Sequence, residues 1–284
     1  MTNQSPHRTP VMVAAFEGWN DAADAASAAV EHLALTWDAE PFAELDPEKY
    51  YDFQVARPSI TITDGVTRNF TWPTTRITSC MLPLASHDLL LVHGIEPSFA
   101  WRGYCEELVT MALDAQVTTI VVLGALLADV AHTTPIQITG SAPDEATATR
   151  LGLSESSYDG PTGITGALQA AAIAAGIPTI ALWAAVPHYV ADSPSPKVTL
   201  ALLRMTEEAL DIEVPVGTLP TEADDWTARV TELAGQDEEI AEYIKVLQER
   251  DDAAVAIEPM SGDTIAEEFQ RYLRRRNPKP GQGR

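Results

Sequence analysis

The stretch "AAFEGWNDAADAASAAVEHL", residues 14–33, contains a strand that passes directly into a helix. A short apolar run ends at Phe16, which is typical of a buried strand, and an alanine-rich segment follows Asp21, which favours a helix. Because Asp21 and Asp24 have the spacing of an N-cap and a third helical residue, we expect both carboxylates to accept hydrogen bonds from the free amides of the first turn.

The same alternation continues along the chain. Further apolar runs predict strands at 89–94, 117–127, 134–142 and 179–190, and the segments between and after them predict helices at 98–115, 163–176 and 195–210. Strands that alternate with helices predict an α/β fold, a mostly parallel sheet with helices on both faces. Within residues 59–70 two alternating runs flank Asp64-Gly65, which predicts an inserted β-hairpin with a two-residue turn, and another strand is expected near 76–81.

After about residue 220 the pattern becomes helical and acidic, with 15 acidic and three basic residues in 221–270. Thr221 and Asp224 have capping-box spacing, and two more helices are predicted at 237–250 and from Thr264. We expect these helices to pack through the apolar residues Trp226, Ile240, Ile244, Phe269 and Leu273. The expected organisation is a disordered N-terminus (1–10), an α/β core domain (11–215), an acidic helical extension (216–276) and a disordered tail (277–284).

The amino-acid composition argues against several classes of function. With 18 basic and 41 acidic residues the formal net charge is −23, which repels nucleic acid and anionic lipid. Two cysteines, Cys80 and Cys105, form neither a disulfide framework nor a metal-ligand spacing, which favours a reducing, cytoplasmic setting. We therefore expect a cytoplasmic protein without nucleic-acid or membrane partners, without a cofactor and without a bound metal.

Polar residues follow several predicted strands. In an open parallel sheet the binding crevice lies at the carboxyl ends of the strands. The candidates at those ends are Glu17, Asn20, Asp21, His93, Glu96, His132 and His188. Their spacing is not that of a metal site, and helix capping explains such loop residues without a ligand. The alternative, that they converge on a small molecule or a reaction, stays open.

A glycine-rich loop opens the helix predicted at 163–176. Its backbone amides could hold an anion, with Gly160, Thr162, Gly163 and Thr165 as the candidate residues. The loop contains neither Gly-Lys-Ser/Thr nor GxGxxG, and no GxSxG nucleophile motif occurs in the chain. The alternative is a tight loop in which Thr162 or Thr165 caps the helix.

Several stretches together resemble a known family. They are "FEGWNDAADAAS" (16–27), "LLLVHGIEPSFAWRGY" (89–104), "GALLADVAHTTPIQITGSA" (124–142), "YDGPTGITGALQAAAIAAGIP" (158–178) and "LWAAVPHYV" (182–190). They are similar to the bacterial branch of the proteasome assembly chaperone family, which is named after the second eukaryotic assembly chaperone. The resemblance spans about residues 11–210. It implies a core similar to nucleoside phosphorylases and hydrolases, homo- or hetero-oligomers and, in eukaryotes and archaea, a role in binding proteasome subunits. It supplies no catalytic residues.

The resemblance adds a second interpretation for the aromatic residues near the ends of helices and strands. Trp101, Tyr104, Trp183 and Tyr189 are core residues or interface anchors, and in a family that oligomerises they are candidate contacts of a dimer or trimer. Proteasome-binding members often end in a hydrophobic-Tyr-any-residue motif, whereas this sequence ends Gln282-Gly283-Arg284. The sequence favours a non-enzymatic, assembly-chaperone-like protein-binding module. The alternative is a hydrolase- or phosphorylase-like enzyme, or a small-molecule binder, at the strand-end crevice.

Overall fold

The computed structural model describes residues 8–153, 160–190 and 194–253. The strands are β1 (Val11–Glu17), β2 (Glu40–Glu44), β3 (Ser59–Thr63), β4 (Thr67–Thr71), β5 (Thr75–Cys80), β6 (Leu89–Ile95), β7 (Ile120–Ala128), β8 (Ile138–Ser141) and β9 (Thr179–Pro187). The helices are α1 (Ala25–Thr36), α2 (Pro47–Tyr50), α3 (Trp101–Asp114), α4 (Glu145–Arg150), α5 (Ile164–Ala174), α6 (Pro196–Leu210), α7 (Leu219–Ala234) and α8 (Glu238–Ala253). The expected α/β fold with an inserted hairpin is confirmed.

The main sheet contains seven strands within the described residues, in the order β2-β5-β6-β1-β7-β9-β8. Strands β6, β1, β7 and β9 are parallel, whereas β2, β5 and β8 run antiparallel to their neighbours. Strand β1 lies at the centre and alternates between two cores, with Val13 and Ala15 on one side and Met12 and Phe16 on the other. Helices α1 and α6 cover the first core, and α3 and α5 cover the second, so both faces of the sheet are buried.

The start of α1 differs from the expectation. Ala23 and Asp24 have left-handed backbone angles, with φ of 57° and 54°, and the regular helix begins at Ala25. The Asp21 carboxylate instead accepts hydrogen bonds from the amides of Ala26 (2.6 Å) and Ser27 (3.2 Å). Asp21 and Asp24 do hold the N-cap and third positions, but of a short 3-10 turn, Ala22–Asp24, that precedes α1. The prediction that the Asp24 carboxylate binds the first amides of the helix is wrong, because the kink makes Asp24 the residue before α1 and its side chain forms no cap hydrogen bond there. The Asp21 carboxylate still caps the N-terminus of α1, although Asp21 lies farther from the first residue of the helix than its sequence spacing predicted.

The hairpin at Asp64-Gly65 is present as a separate two-stranded sheet of β3 and β4. Asp64 and Gly65 both have positive φ, 54° and 70°, as the pair predicts. However, Thr63 pairs with Thr67, so the loop contains three residues and not two. The amide of Val66 closes the turn on the carbonyl of Thr63 (3.2 Å), which leaves Val66 as the additional loop residue.

The helices after residue 218 differ from their predicted boundaries. Helix α7 begins at Leu219, so Thr221 and Asp224 do not form its cap, and the Thr218 hydroxyl donates to the Glu222 carboxylate (2.7 Å). Trp226 and Ile244 are buried as expected, whereas Ile240 is 39% exposed. The helix expected from Thr264, with Phe269 and Leu273, and the expected tail at 277–284 lie outside the described residues.

Candidate binding surface at the carboxyl ends of the strands

The carboxyl ends of β6, β1, β7 and β9 lie in that order along one edge of the sheet. The candidate residues at this edge fall into two groups. The first surrounds Glu96 and the beginning of α5, and the second joins the ends of β7 and β9 to α7 and α8. The candidates therefore do not converge on one site.

Glu96 forms the centre of the first group. Its carboxylate oxygen Oε1 accepts hydrogen bonds from the side-chain amide of Asn20 and from the backbone amide of Ile164, both at 2.8 Å. Asn20 is 1% exposed, and its Oδ1 has no hydrogen-bond partner among the described residues. The carboxylate thus ties the loop after β1 and the loop after β6 to the N-terminus of α5.

Glu17 and His93 lie beside this group on neighbouring strands. The His93 Nε2 and Glu17 Oε1 atoms are 3.3 Å apart, with 33% and 47% of the two side chains exposed. The parallel register that places Ala15 next to His93 brings the pair together. This is an ion pair whenever the imidazole is protonated. A partly exposed histidine beside a carboxylate is a pair able to exchange protons with a bound molecule.

Asp21 lies between the two groups and has a structural role. Its side chain is buried and faces the first amides of α1. Burial raises its pKa to about 6, and hydrogen bonds from Ser27 and Ala26 oppose that rise. The Asp21 carboxylate therefore caps the N-terminus of α1.

The glycine-rich loop and the start of α5 lie against the side chains of Glu96 and Asn20. The Ile164 amide at the start of α5 is already bound by Glu96. A Cβ atom on Gly163 would lie 2.2 Å from Oδ1 of Asn20, so that side chain fills the space next to the loop. Thr165 is buried, whereas Gly160 and Thr162 are exposed. The Glu96 carboxylate occupies the first amide of α5, and its charge would repel an anion at that amide, so an anion site at this loop stays a prediction.

The second group centres on His132, which is 1% exposed. Its backbone amide donates to the Tyr189 hydroxyl (2.8 Å), its Nδ1 lies 2.9 Å from the same hydroxyl, and its Nε2 lies 2.9 Å from Oγ1 of Thr231. Burial, together with the nearby Lys197, lowers the pKa of His132 to about 4. The ring is therefore neutral near pH 7 and holds α7 against the end of β7.

His188 belongs to the same region, in which the ends of β7 and β9 contact α7 and α8 and which we call the joint. Its Nδ1 lies 3.3 Å from Oδ1 of Asp129, which also accepts a hydrogen bond from the Tyr243 hydroxyl (3.2 Å). The rings of His188 and Tyr243 pack edge to face at 5.6 Å. A small apolar cluster completes the joint, formed by Ala131, Ala234, Ile244, Leu247 and Tyr189. Sequence reasoning missed Thr231 and Tyr243, because more than 50 residues separate each of them from its partner and no motif marks either one.

The four candidate interface aromatics have mostly internal partners. Tyr104 is fully buried and its hydroxyl lies 2.6 Å from Thr75 Oγ1, so it is a core residue and cannot reach a second chain. Trp101 donates its indole N–H to the Pro97 carbonyl (2.7 Å). Trp183 packs so closely over Gly124 that a Cβ there would lie 2.5 Å from its ring, and Tyr189 belongs to the joint with α8.

The described residues show what this edge contains and what it lacks. They include no group of three or more His, Cys, Asp or Glu side chains arranged to hold a metal ion. None of the helices described for residues 8–253 has both the length and the apolar character needed to cross a membrane. The polar side chains at the strand ends mostly bind one another and the first turns of helices.

Comparison with known proteins gives this arrangement a context. The model of the PAC2 family matches residues 15–234. The chain is 51% identical to the Mycobacterium tuberculosis proteasome-assembly chaperone homologue Rv2125, with 82% of this chain and 99% of that chain covered and a TM-score of 0.77. It is 52% identical to a PAC2 family protein from Streptomyces avermitilis, with the same coverage and TM-score.

A more distant likeness shows the fold alone. Pyrococcus furiosus PbaB, an archaeal proteasome activator, shares 15% identity over 81% of this chain and 95% of that chain, with a TM-score of 0.63. No curated protein shows significant similarity to the chain. The family match covers most of the chain, and it confirms the resemblance found in the sequence. The chain belongs to the PAC2 family.

Proposed function

We propose that the protein acts by binding another protein, as a non-enzymatic, assembly-chaperone-like module of the cytoplasm, with proteasome subunits as the partner class. The relative from M. tuberculosis is described as a proteasome-assembly chaperone homologue. The archaeal proteins of the same fold are described as a proteasome activator and as a homologue of proteasome-assembly chaperone. These descriptions belong to the relatives, and they supply the partner class of the proposal.

The observation that carries the proposal is an acidic helical surface that packs against the strand ends of the sheet. His132 Nε2 lies 2.9 Å from the Thr231 hydroxyl of α7, and Tyr189 packs with residues of α7 and α8 in a small apolar cluster. The exposed carboxylates on these helices include Glu222, Asp224, Asp225, Glu232, Glu238, Glu239, Glu242 and Glu249. The negative electrostatic potential of these carboxylates accelerates association with basic protein surfaces and disfavours association with acidic ones.

The crevice supports the same proposal. Glu96, Asn20 and Asp21 are engaged with one another or with helix amides, and His132 is neutral and buried. A catalytic site requires tuned groups that converge on one reacting atom. The Glu17–His93 pair is the specific observation that keeps an enzyme or small-molecule binder as the second candidate.

The experiment is affinity capture of partners from a native extract, identified by mass spectrometry, followed by binding kinetics. Asp225 and Glu232 are exposed on α7, and the variant Asp225→Lys/Glu232→Lys reverses both charges. We expect the association rate with the captured partner to fall about tenfold at low salt, with a smaller change in the dissociation rate.

The matched control is Glu106→Lys/Asp114→Lys, which makes the same charge change on exposed positions of α3. This control separates a local acidic surface from the overall net charge of −23. The proposal is wrong if the α7 reversal leaves every capture unchanged while Glu17→Gln or His93→Gln abolishes turnover of a metabolite. That result would establish the second candidate.

A further inference from the structure

Helix α8 has apolar side chains on two faces, and only one of these faces packs on the core. Ile244 and Leu247 are 6% and 0% exposed, whereas Tyr243 and Val246 are 37% and 46% exposed. The Tyr243 hydroxyl donates to the Asp129 carboxylate at 3.2 Å, which orients the exposed ring. Tyr243 and Val246 are three residues apart and therefore lie on one face of the helix. Because the described residues leave both side chains exposed, this face is open to a further apolar segment.

Carboxylates surround this second apolar face. A shallow depression along α8 is lined by Glu238, Glu239, Glu242, Tyr243 and Val246. Residues 237–244 contain four acidic residues and no basic one. We call Glu239, Glu242, Tyr243 and Val246 the α8 patch. An apolar surface with an acidic rim is complementary to an apolar stripe that is flanked by basic residues.

The C-terminal segment of the same chain has that chemistry. Helix α8 ends at Ala253, and residues 254–284 lie outside the described residues. Their sequence predicts a helix from Thr264 with one apolar stripe, formed by Ile265, Phe269, Tyr272 and Leu273. Residues 271–284 contain six basic residues and no acidic one, in a chain with a net charge of −23. A short helix with a single apolar stripe is marginal in water, so it requires a surface on which to pack.

The length of the chain after α8 allows this segment to return along the helix. Ten residues, 254–263, join Ala253 to Thr264, and they can span up to about 35 Å. A helix over residues 264–276 would be about 20 Å long, and the 16 residues of α8 extend over about 24 Å. The segment can therefore reach every turn of α8 in its own chain.

The distribution of charge favours an antiparallel contact. The basic residues lie at the end of the predicted helix, and the four carboxylates of residues 237–244 lie at the start of α8. Only an antiparallel arrangement brings these two ends together. A register that places Leu273 beside Tyr243 also places Arg274 beside Glu242, since one step forward along the segment is one step back along α8. Apolar and charged residues thus match in the same register.

We propose that residues 264–276 bind the α8 patch of their own chain and thereby compete with a basic partner for the acidic surface. The segment acts as an internal inhibitor, because a partner must displace it to reach α8. The inhibition rests on the proposed function, whereas the contact between the segment and α8 does not.

The first test is hydrogen–deuterium exchange of the full chain, read by mass spectrometry on peptides from residues 264–276. We expect their amides to exchange at least about tenfold more slowly than in a synthetic peptide of the same sequence, because the packed helix protects them. Phe269→Asp should remove this protection by placing a charge in the apolar contact. The matched control, Gln282→Asp, adds the same charge outside the predicted helix and should leave the protection unchanged.

The second test is a charge exchange between the segment and α8. Glu239→Arg/Glu242→Arg and Arg274→Glu/Arg275→Glu should each remove most of the protection, and their combination should restore it.

The control for the arginine reversal is Arg57→Glu/Arg68→Glu, which makes the same charge change at exposed positions before β3 and on β4. This control should leave the protection of residues 264–276 unchanged.

Three results would overturn the proposed contact. The first is a segment that exchanges as fast as the free peptide. The second is protection that survives Glu239→Arg/Glu242→Arg, which would mean that another surface holds the segment. The third is protection that increases with protein concentration, which would mean that the segment binds a different copy of the chain.

Deca-lysine is the probe for the inhibition. Phe269→Asp and Gln282→Asp have the same net charge, and only the first should free α8. We therefore expect Phe269→Asp to bind deca-lysine about fivefold more tightly at low salt. Equal affinities would overturn the inhibition. The partner-capture experiment with the α7 variant is read independently, since exchange protection of residues 264–276 requires no partner.

Discussion

At the scale of single residues, the Glu96 carboxylate connects three parts of the chain. It accepts hydrogen bonds from Asn20 and from the first amide of α5. Replacement by Ala would leave two buried donors without a partner, so Glu96→Ala should lower the free energy of unfolding by about 1–3 kcal/mol. Glu106→Ala, at an exposed position of α3, is the control and should change it by less than about 0.5 kcal/mol. Urea denaturation measures both, and equal values would show that the network contributes nothing.

Asp21 gives the stability a definite dependence on pH. Its pKa is about 6 in the folded chain against an ordinary 3.8, because burial disfavours the charged carboxylate. The folded state therefore binds more protons between about pH 4 and pH 6, and stability falls as the pH rises through that interval. A difference of about two pKa units corresponds to about 3 kcal/mol. The Asp21→Asn variant should lack this component of the pH dependence.

His132 acts in the opposite direction over nearly the same interval. Its pKa is about 4 in the folded chain against an ordinary 6.5, so the unfolded state binds more protons and stability falls as the pH drops from 6.5 towards 4. The two contributions therefore oppose each other in the unmodified chain. Denaturation from pH 4 to 7 should therefore show stability that rises with pH in Asp21→Asn and falls with pH in His132→Gln. Parallel profiles for the two variants would contradict both assignments.

At the scale of elements, long apolar runs could be predicted and contacts between distant segments could not. The runs of β1, β6 and β7 identify strands because each is buried on both faces of the sheet. Strand β2, with the sequence "EPFAE", was missed because it is an exposed edge strand without an apolar run. The left-handed kink at Ala23 and Asp24 has no local signal, and the contact between Asn20 and Gly163 joins residues from opposite halves of the chain.

Helix α7 holds the acidic helices on the core, which makes its buried face testable. Trp226 is 3% exposed and its ring lies 6.4 Å from that of His132, whereas Leu233 on the same helix is 65% exposed. Neither α7 nor α8 can bury its single apolar stripe alone, so we expect Trp226→Ala to loosen both helices. Thermolysin should then cleave between residues 211 and 218 at least about tenfold faster than in the unmodified chain.

Leu233→Ala is the matched control for this cleavage, because it removes an apolar side chain of the same helix that packs on little. It should leave the cleavage rate unchanged. A released fragment that ends near residue 215 would support the proposed boundary between an α/β core domain and an acidic helical extension. Equal cleavage of both variants would mean that Trp226 does not anchor the extension.

At the scale of the whole molecule, the net charge of −23 gives salt two opposite effects. Like charges repel one another in the compact state, and added salt screens that repulsion, with a Debye length that falls from about 30 Å at 0.01 M to about 8 Å at 0.15 M. We therefore expect the midpoint of thermal unfolding to rise by a few degrees between 0.01 and 0.5 M sodium chloride. The same screening shortens the reach of the carboxylates on α7, so the association rate with a basic partner should fall over the same range. Thermal denaturation and binding kinetics in matched buffers measure the two trends. A midpoint that falls with salt would mean that the ion pairs of the folded chain outweigh its self-repulsion, and an association rate independent of salt would remove the acidic surface from partner capture.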